Sequence, residues 1–121
     1  MGIVRSFDRR REPRWIANIE VMVWGVDTKG ERFLQEAHAR DISLSGALLT
    51  GIDADLSSGD TIGILYGKKK ARYRVVWTRY DEAGEKMQVA LHRVQGDECP
   101  WLDLLDEGSD PDSAPLNAPA P

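Results

Sequence analysis

The chain has 121 residues, 41% of them hydrophobic and 30% charged, with a formal net charge of −4. That length allows one domain with a modest core, and the acidic total argues against a globally basic nucleic-acid binder. The distribution is uneven: Arg5, Arg9, Arg10, Arg11 and Arg14 crowd the start, while no Lys or Arg follows Arg93 and the end is rich in Asp and Glu, a pattern of a local anion site and an acidic tail.

Residues 1–14 are polar and basic, without hydrophobic periodicity, and read as a flexible arm carrying the first ligand motif. From Trp15 to Val26, the residues Trp15, Ala17, Ile19, Val21 and Val23 fall on one face at period two, which predicts a long strand. Asp27-Thr28-Lys29-Gly30 is a turn cluster. Arg32 to Ile42 is read as a second strand because it lies among strands, although Leu34–Ala39 is equally helical on propensity. Gly46–Thr50 is a short buried strand, Asp53 to Asp60 a polar loop, and Asp60–Tyr66 a fourth strand. Gly67-Lys68 turns the chain into a fifth strand, Ala71–Tyr80, in which Tyr73, Val75 and Trp77 alternate with outward residues. This places Trp77 in the core. Asp81–Gly84 is a hairpin loop and Lys86–Val94 returns. Six short strands with regular turn signals predict an all-β fold, a small antiparallel barrel that closes its own edges.

After Gly96 the pattern turns helical. Pro100 suits a first-turn position, and Trp101, Leu104 and Leu105 share one face of a short C-terminal helix that would plug the barrel. The barrel and helix thus span 15–106. Residues 107–121 carry almost no apolar mass and read as a disordered acidic tail rich in Pro and Ala.

The lone Cys99 excludes an intramolecular disulfide and fits a reducing, cytoplasmic setting. Met1-Gly2-Ile3-Val4 runs straight into Arg5 without the apolar stretch of a signal peptide, and no segment is long and apolar enough to span a bilayer. Enzyme readings fail: His38, Asp41 and Ser43 lack triad spacing along a strand. His92 and Cys99 lack metal-ligand spacing, and Gly63-x-x-x-Gly67-Lys68 is one residue short of a phosphate-binding loop and precedes no helix.

What the residues do offer is an anion site. Arginines on a Pro-stiffened arm (Pro13) precede Asp41-Ile42-Ser43-Leu44-Ser45-Gly46. Arginine forks match phosphate oxygens, and guanidinium planes stack on bases. A carboxylate accepts from the N–H groups of a base, a serine hydroxyl reaches phosphate, and a glycine permits close approach of the backbone. Two guanidinium groups ~6 Å apart repel by about 0.7 kcal/mol in water and roughly 3 kcal/mol at an effective dielectric of 20. An anionic ligand relieves that repulsion.

Arg10-x-x-x-Arg14 followed by Asp41-x-Ser43-x-x-Gly46 resembles the two-part signature of PilZ domains, bacterial receptors for cyclic di-GMP. Val75-Val76-Trp77 also looks like the family's late strand, and the resemblance covers roughly residues 8–95. It implies a stand-alone, monomeric adaptor that binds cyclic di-GMP through Arg9, Arg10, Arg11, Arg14, Asp41, Ser43 and Gly46, with the edge of Trp77 reaching a base. It implies no other cofactor, no metal and no nucleic-acid partner. The arm would close over the barrel on binding and signal to an unidentified downstream protein in motility, biofilm or exopolysaccharide control. Arg9, just before the first motif arginine, implies together with Arg11 an intercalated dimer of the nucleotide. Ala90 departs from the glycine that relatives often carry in the last strand. The alternative is a PilZ-fold protein–protein interaction module that binds no nucleotide.

Overall fold

A computed structural model of the chain describes residues 12–107. Arg9, Arg10 and Arg11, most of the basic arm and the acidic tail lie outside the described residues. Six strands, β1 (Trp15–Val26), β2 (Arg32–Ile42), β3 (Gly46–Ile52), β4 (Thr61–Tyr66), β5 (Lys69–Tyr80) and β6 (Met87–Arg93), are followed by the short helix α1 (Leu102–Glu107). All pairings are antiparallel. The strands close in the order β1-β2-β3-β6-β5-β4, with β4 returning to β1, so no edge is left open. The Leu34–Ala39 stretch is strand: β1 supplies ladder bonds along its whole length and β3 joins from His38 onward, which overrides its helical propensity.

The core is built by alternation. Val21 and Val23 of β1, Ala37 and Ala39 of β2, Leu49 of β3, Ile62 and Ile64 of β4, Tyr73 and Val75 of β5, and Val89 and Leu91 of β6 all point inward and are buried. Fully burying an aliphatic side chain of this size contributes roughly 1.5–3 kcal/mol. Trp101, just before α1, is 0% exposed and stacks obliquely on Tyr73, with ring centroids 5.6 Å apart. The C-terminal segment therefore packs on the barrel through Trp101, which precedes the helix, with Leu102 and Leu105 against the core; Leu104, expected on the buried face, is exposed. On the outside, a Cβ at Gly63 would come within 2.2 Å of the Trp24 ring, so the glycine is what lets Trp24 lie flat against β4.

Alternation breaks at defined places. On β2, Ala39 pairs with Leu49 and Asp41 with Leu48, leaving Arg40 as an extra residue. On β5, Val75 pairs with Leu91 and Trp77 with Ala90, leaving Val76 extra. The β1–β2 ladder also shifts between Ile16 and Ile19. The bulges at Arg40 and Val76 change the phase of β2 and β5 beyond them, while β1 keeps its alternation through its shift, and this decides where the site residues point.

Candidate functional site

The bulge at Arg40 aims Asp41 outward. Had the inward phase of Ala37 and Ala39 continued, Asp41 would be buried and Ile42 exposed; instead Ile42 is 3% exposed and Asp41 faces out. The bulge at Val76 does the same for Trp77. Period two places Trp77 in the core, and the structure corrects this: Trp77 is 41% exposed. The two re-aimed residues lie on one line across the outer face. Ile16 pairs with Asp41, Asp41 with Leu48, Leu48 with Ala90, and Ala90 with Trp77. The neighbouring register row, Ile42, Ala47, Leu91 and Val75, is buried throughout. At about 4.8 Å per strand, Asp41 and Trp77 stand at opposite ends of roughly 14 Å of curved sheet, with the small Ala90 leaving a shallow floor between them.

Arg14 completes the Asp41 end. Its Nη2 donates to Asp41 Oδ2 at 2.9 Å and its Nε approaches Oδ1 at 3.4 Å, a two-pronged pairing that fixes the guanidinium plane. The Arg14 side chain remains largely exposed, so its remaining donors and its face are open to a ligand. At the Trp77 end the Arg79 guanidinium lies 5.3 Å from the indole centroid, with its Nε donating to Gln88 Oε1 at 3.0 Å. A cation held over the ring of Trp77 is an attractive arrangement that also presents a flat, positive surface.

The turn between β2 and β3 is held from behind. Ser43 N–H donates to the Gly46 carbonyl at 3.0 Å, and Gly46 N–H donates to Ser43 Oγ at 3.0 Å. The other carbonyls of the turn point at the C-terminal part of the chain. Trp101 Nε1–H donates to the Ser43 carbonyl at 2.9 Å, Arg93 Nε to that of Leu44 at 3.0 Å, and the Arg93 amide to that of Ser45 at 2.7 Å. The Arg93 guanidinium also reaches the Asp97 carbonyl, and the buried Cys99 thiol, its pKa pushed up chiefly by burial, lies 3.9 Å from the Ser43 carbonyl. Gly46 is required by close approach: a Cβ there would sit 2.8 Å from the Leu91 carbonyl oxygen.

With its carbonyls turned inward, the turn offers donors outward, a concave arrangement suited to anions. Glu12 occupies it. One carboxylate oxygen, Oε1, accepts from the Ser45 amide at 3.0 Å and from the Ser45 hydroxyl at 2.7 Å. Burial pushes the Glu12 carboxyl up, but the Ser45 hydroxyl and amide, together with the Ser43 hydroxyl and His92, outweigh it and the net shift is downward. Of the site residues expected from sequence, the structure thus brings Arg14, Asp41, Ser43 and Gly46 into one cluster and sets Trp77 at the far end of the same face. Ser43 is 7% exposed, its hydroxyl turned to Gly46, and acts here as the bracket of the turn. Glu12 and Arg79 were missed. The only signals for them are the separation of Glu12 and Arg14 by one residue, and that of Arg79 and Trp77 by one residue, which sets each pair on one side of an extended chain.

The family model for the PilZ domain matches residues 8–105. The chain belongs to the PilZ domain family. Among solved structures it is similar to the Bacillus subtilis inhibitor of motility MotI/DgrA, with a TM-score of 0.57 and 16% identity over 74% of this chain and 44% of that one. It is also similar to K. pneumonia MrkH in its complex with c-di-GMP, with a TM-score of 0.56 and 18% identity over 89% of this chain and 52% of that one. The apo state of MrkH matches with a TM-score of 0.51 at 18% identity, over 76% and 45% of the two chains. At these identities the likeness is one of fold, and this PilZ chain spans about half the length of the structures it resembles. No curated protein matches the sequence. Among the described residues there is no cluster of His, Cys, Asp and Glu able to hold a metal ion, and no helix long and apolar enough to cross a membrane.

Proposed function

We propose that this PilZ domain is a receptor for cyclic di-GMP that binds the nucleotide across the outer face running from Arg14 and Asp41 to Trp77. The observation that carries the reading is the pair between Arg14, just before β1, and Asp41, near the end of β2, formed by the residues of the PilZ signature and facing solvent. It supplies a carboxylate edge for guanine and a guanidinium for phosphate or base. Trp77 and Arg79 offer a stacking surface to a second base. MrkH, of the same fold, forms a complex with c-di-GMP, which supports the choice of nucleotide.

Arg9, Arg10 and Arg11 would close over the phosphates, and Arg9 with Arg11 favours two intercalated nucleotides per protomer. With the arm ordered against the barrel, the composite surface would meet a downstream protein, and the chain would act as an adaptor in the control of motility, biofilm or exopolysaccharide.

Titration calorimetry of the full chain with cyclic di-GMP, with GTP and a short oligonucleotide as controls, tests this. Micromolar or tighter binding of cyclic di-GMP alone is expected, at two nucleotides per protomer. Arg14→Ala and Asp41→Ala should each abolish it while leaving the thermal transition unchanged. Absence of binding would leave the protein–protein module as the better reading, and one nucleotide per protomer would refute the intercalated dimer.

A further inference from the structure

The first residues of β1 pair in a fixed antiparallel register: Ile16 lies opposite Asp41 and Trp15 opposite Ile42. Counting back in that register sets Glu12 opposite Ser45, and Ser45 is where Glu12 makes its contact. The main-chain ladder cannot carry the pairing across Pro13, which has no N–H to donate. The Glu12 side chain bridges the gap instead. Two residues on, Arg14 meets Asp41. The two contacts bracket the Asp41–Gly46 motif from one side, so the last part of the arm runs along the turn as an extension of β1.

We propose that Glu12 is a positioning residue: clasped by Ser45, it docks the chain just before β1 along the β2–β3 turn, so that an anionic nucleotide meets Arg14 already fixed beside Asp41. The proposal rests on the nucleotide-binding reading above, but the docking itself is independent of any ligand. A carboxylate oxygen that accepts both a backbone amide and a hydroxyl forms charge-assisted bonds, stronger than those of a neutral acceptor. The Ser45 amide is held in place because its own carbonyl and that of Leu44 are both fixed by Arg93. Docking residue 12 removes freedom that the arm would otherwise lose only on binding, which is how preorganisation raises affinity. The titratable and charged groups around the Glu12 carboxylate are His92 on β6 and the Cys99 thiol behind the turn, with Arg93 at the turn's carbonyls and Arg14 two residues along the arm.

Two measurements on the full chain test the proposal. Without nucleotide, Glu12→Ala and Ser45→Ala should each speed hydrogen exchange at the Arg14 amide and lower its heteronuclear NOE, with the amides of β4 and β5 unchanged. Glu12→Gln, whose amide oxygen accepts the same two bonds, should restore most of the order. The Ser45 amide shift should follow a carboxyl titration in the unaltered chain that is absent in Glu12→Gln. With cyclic di-GMP, Glu12→Ala should weaken binding about tenfold, and the Glu12→Ala/Ser45→Ala pair should cost no more than either change alone, because both remove one contact. An Arg14 amide equally ordered in Glu12→Ala overturns the docking. Equal or tighter nucleotide binding by that variant overturns the positioning role and makes Glu12 a competitor for the anion site. If the unaltered chain binds no nucleotide, the receptor reading falls, and the amide measurements alone decide whether Glu12 docks the arm.

Discussion

Replacing Trp101 with Phe isolates the bond that ties the C-terminal segment to the signature turn. Trp101 is 0% exposed and its Nε1–H donates to the Ser43 carbonyl at 2.9 Å. Phenylalanine keeps an aromatic ring against Tyr73 but removes the donor. The Ser43 carbonyl is then left with the Cys99 thiol at 3.9 Å, a weak donor at long range. A buried acceptor stripped of its partner costs about 1–3 kcal/mol. The smaller ring forfeits roughly 40 Å² of apolar burial, worth about 1 kcal/mol at 25 cal/mol per Å². The expected loss is about 2–4 kcal/mol, a large part of the stability of a domain this size. Urea unfolding followed by far-ultraviolet circular dichroism reads it as a lower midpoint at unchanged slope. A loss below about 0.5 kcal/mol would refute the reasoning, because it would mean that the Ser43 carbonyl finds another donor and the turn does not depend on the indole.

Three further outcomes follow from single contacts. Tyr73 is 0% exposed and its hydroxyl has no hydrogen-bond partner among the described residues; burial pushes the phenol pKa well above its ordinary value. Tyr73→Phe should therefore leave thermal stability unchanged or raise it by up to about 1 kcal/mol, and a clear loss would reveal a partner for the hydroxyl. Ala90→Leu should weaken cyclic di-GMP binding at least about tenfold, or about 1.4 kcal/mol, without lowering the melting temperature, since Ala90 faces outward between Leu48 and Trp77; unchanged affinity would move the ligand off this face. Arg72, through side-chain and backbone bonds, holds the Asp97 carboxyl at about 2. Because the folded value is depressed, the stability this clasp supplies is complete above the ordinary aspartate value of about 3.9 and is lost as the pH falls through about 2. A carboxyl titration by NMR with its midpoint near 4 would contradict the clasp.

Most of the barrel was legible in the sequence because a strand with one buried face writes its pattern at period two. Trp15–Val26 and Arg32–Ile42 match the observed strands at both ends, and the strand ending at Tyr80 begins two residues earlier than expected, at Lys69, where the turn merges into the ladder. The signature residues Arg14, Asp41, Ser43 and Gly46 were legible as a group that the structure sets together, although the Ser43 hydroxyl is turned to Gly46. Trp77 was misread because periodicity assumes that each residue advances the phase, and Val76 does not. Glu12 was hidden for another reason. In a run of arginines a single carboxylate reads as charge compensation, and only the register of β1 against β2 reveals what stands opposite it. The link from Trp101 to Ser43 joins residues far apart in the chain, a contact that no local pattern encodes.

The extra residues at Arg40 and Val76 also bear on how relatives of this chain should be aligned. Removing Arg40 would leave every letter of the Asp41-Ile42-Ser43 motif intact, yet it would turn the carboxylate into the barrel and push the isoleucine into water. Removing Val76 would likewise withdraw the Trp77 indole from the surface. Single-residue gaps at these two places therefore carry more functional meaning than most substitutions within the motif. A homologue that keeps the Asp and the Trp but lacks both insertions has the spelling of the site without its geometry.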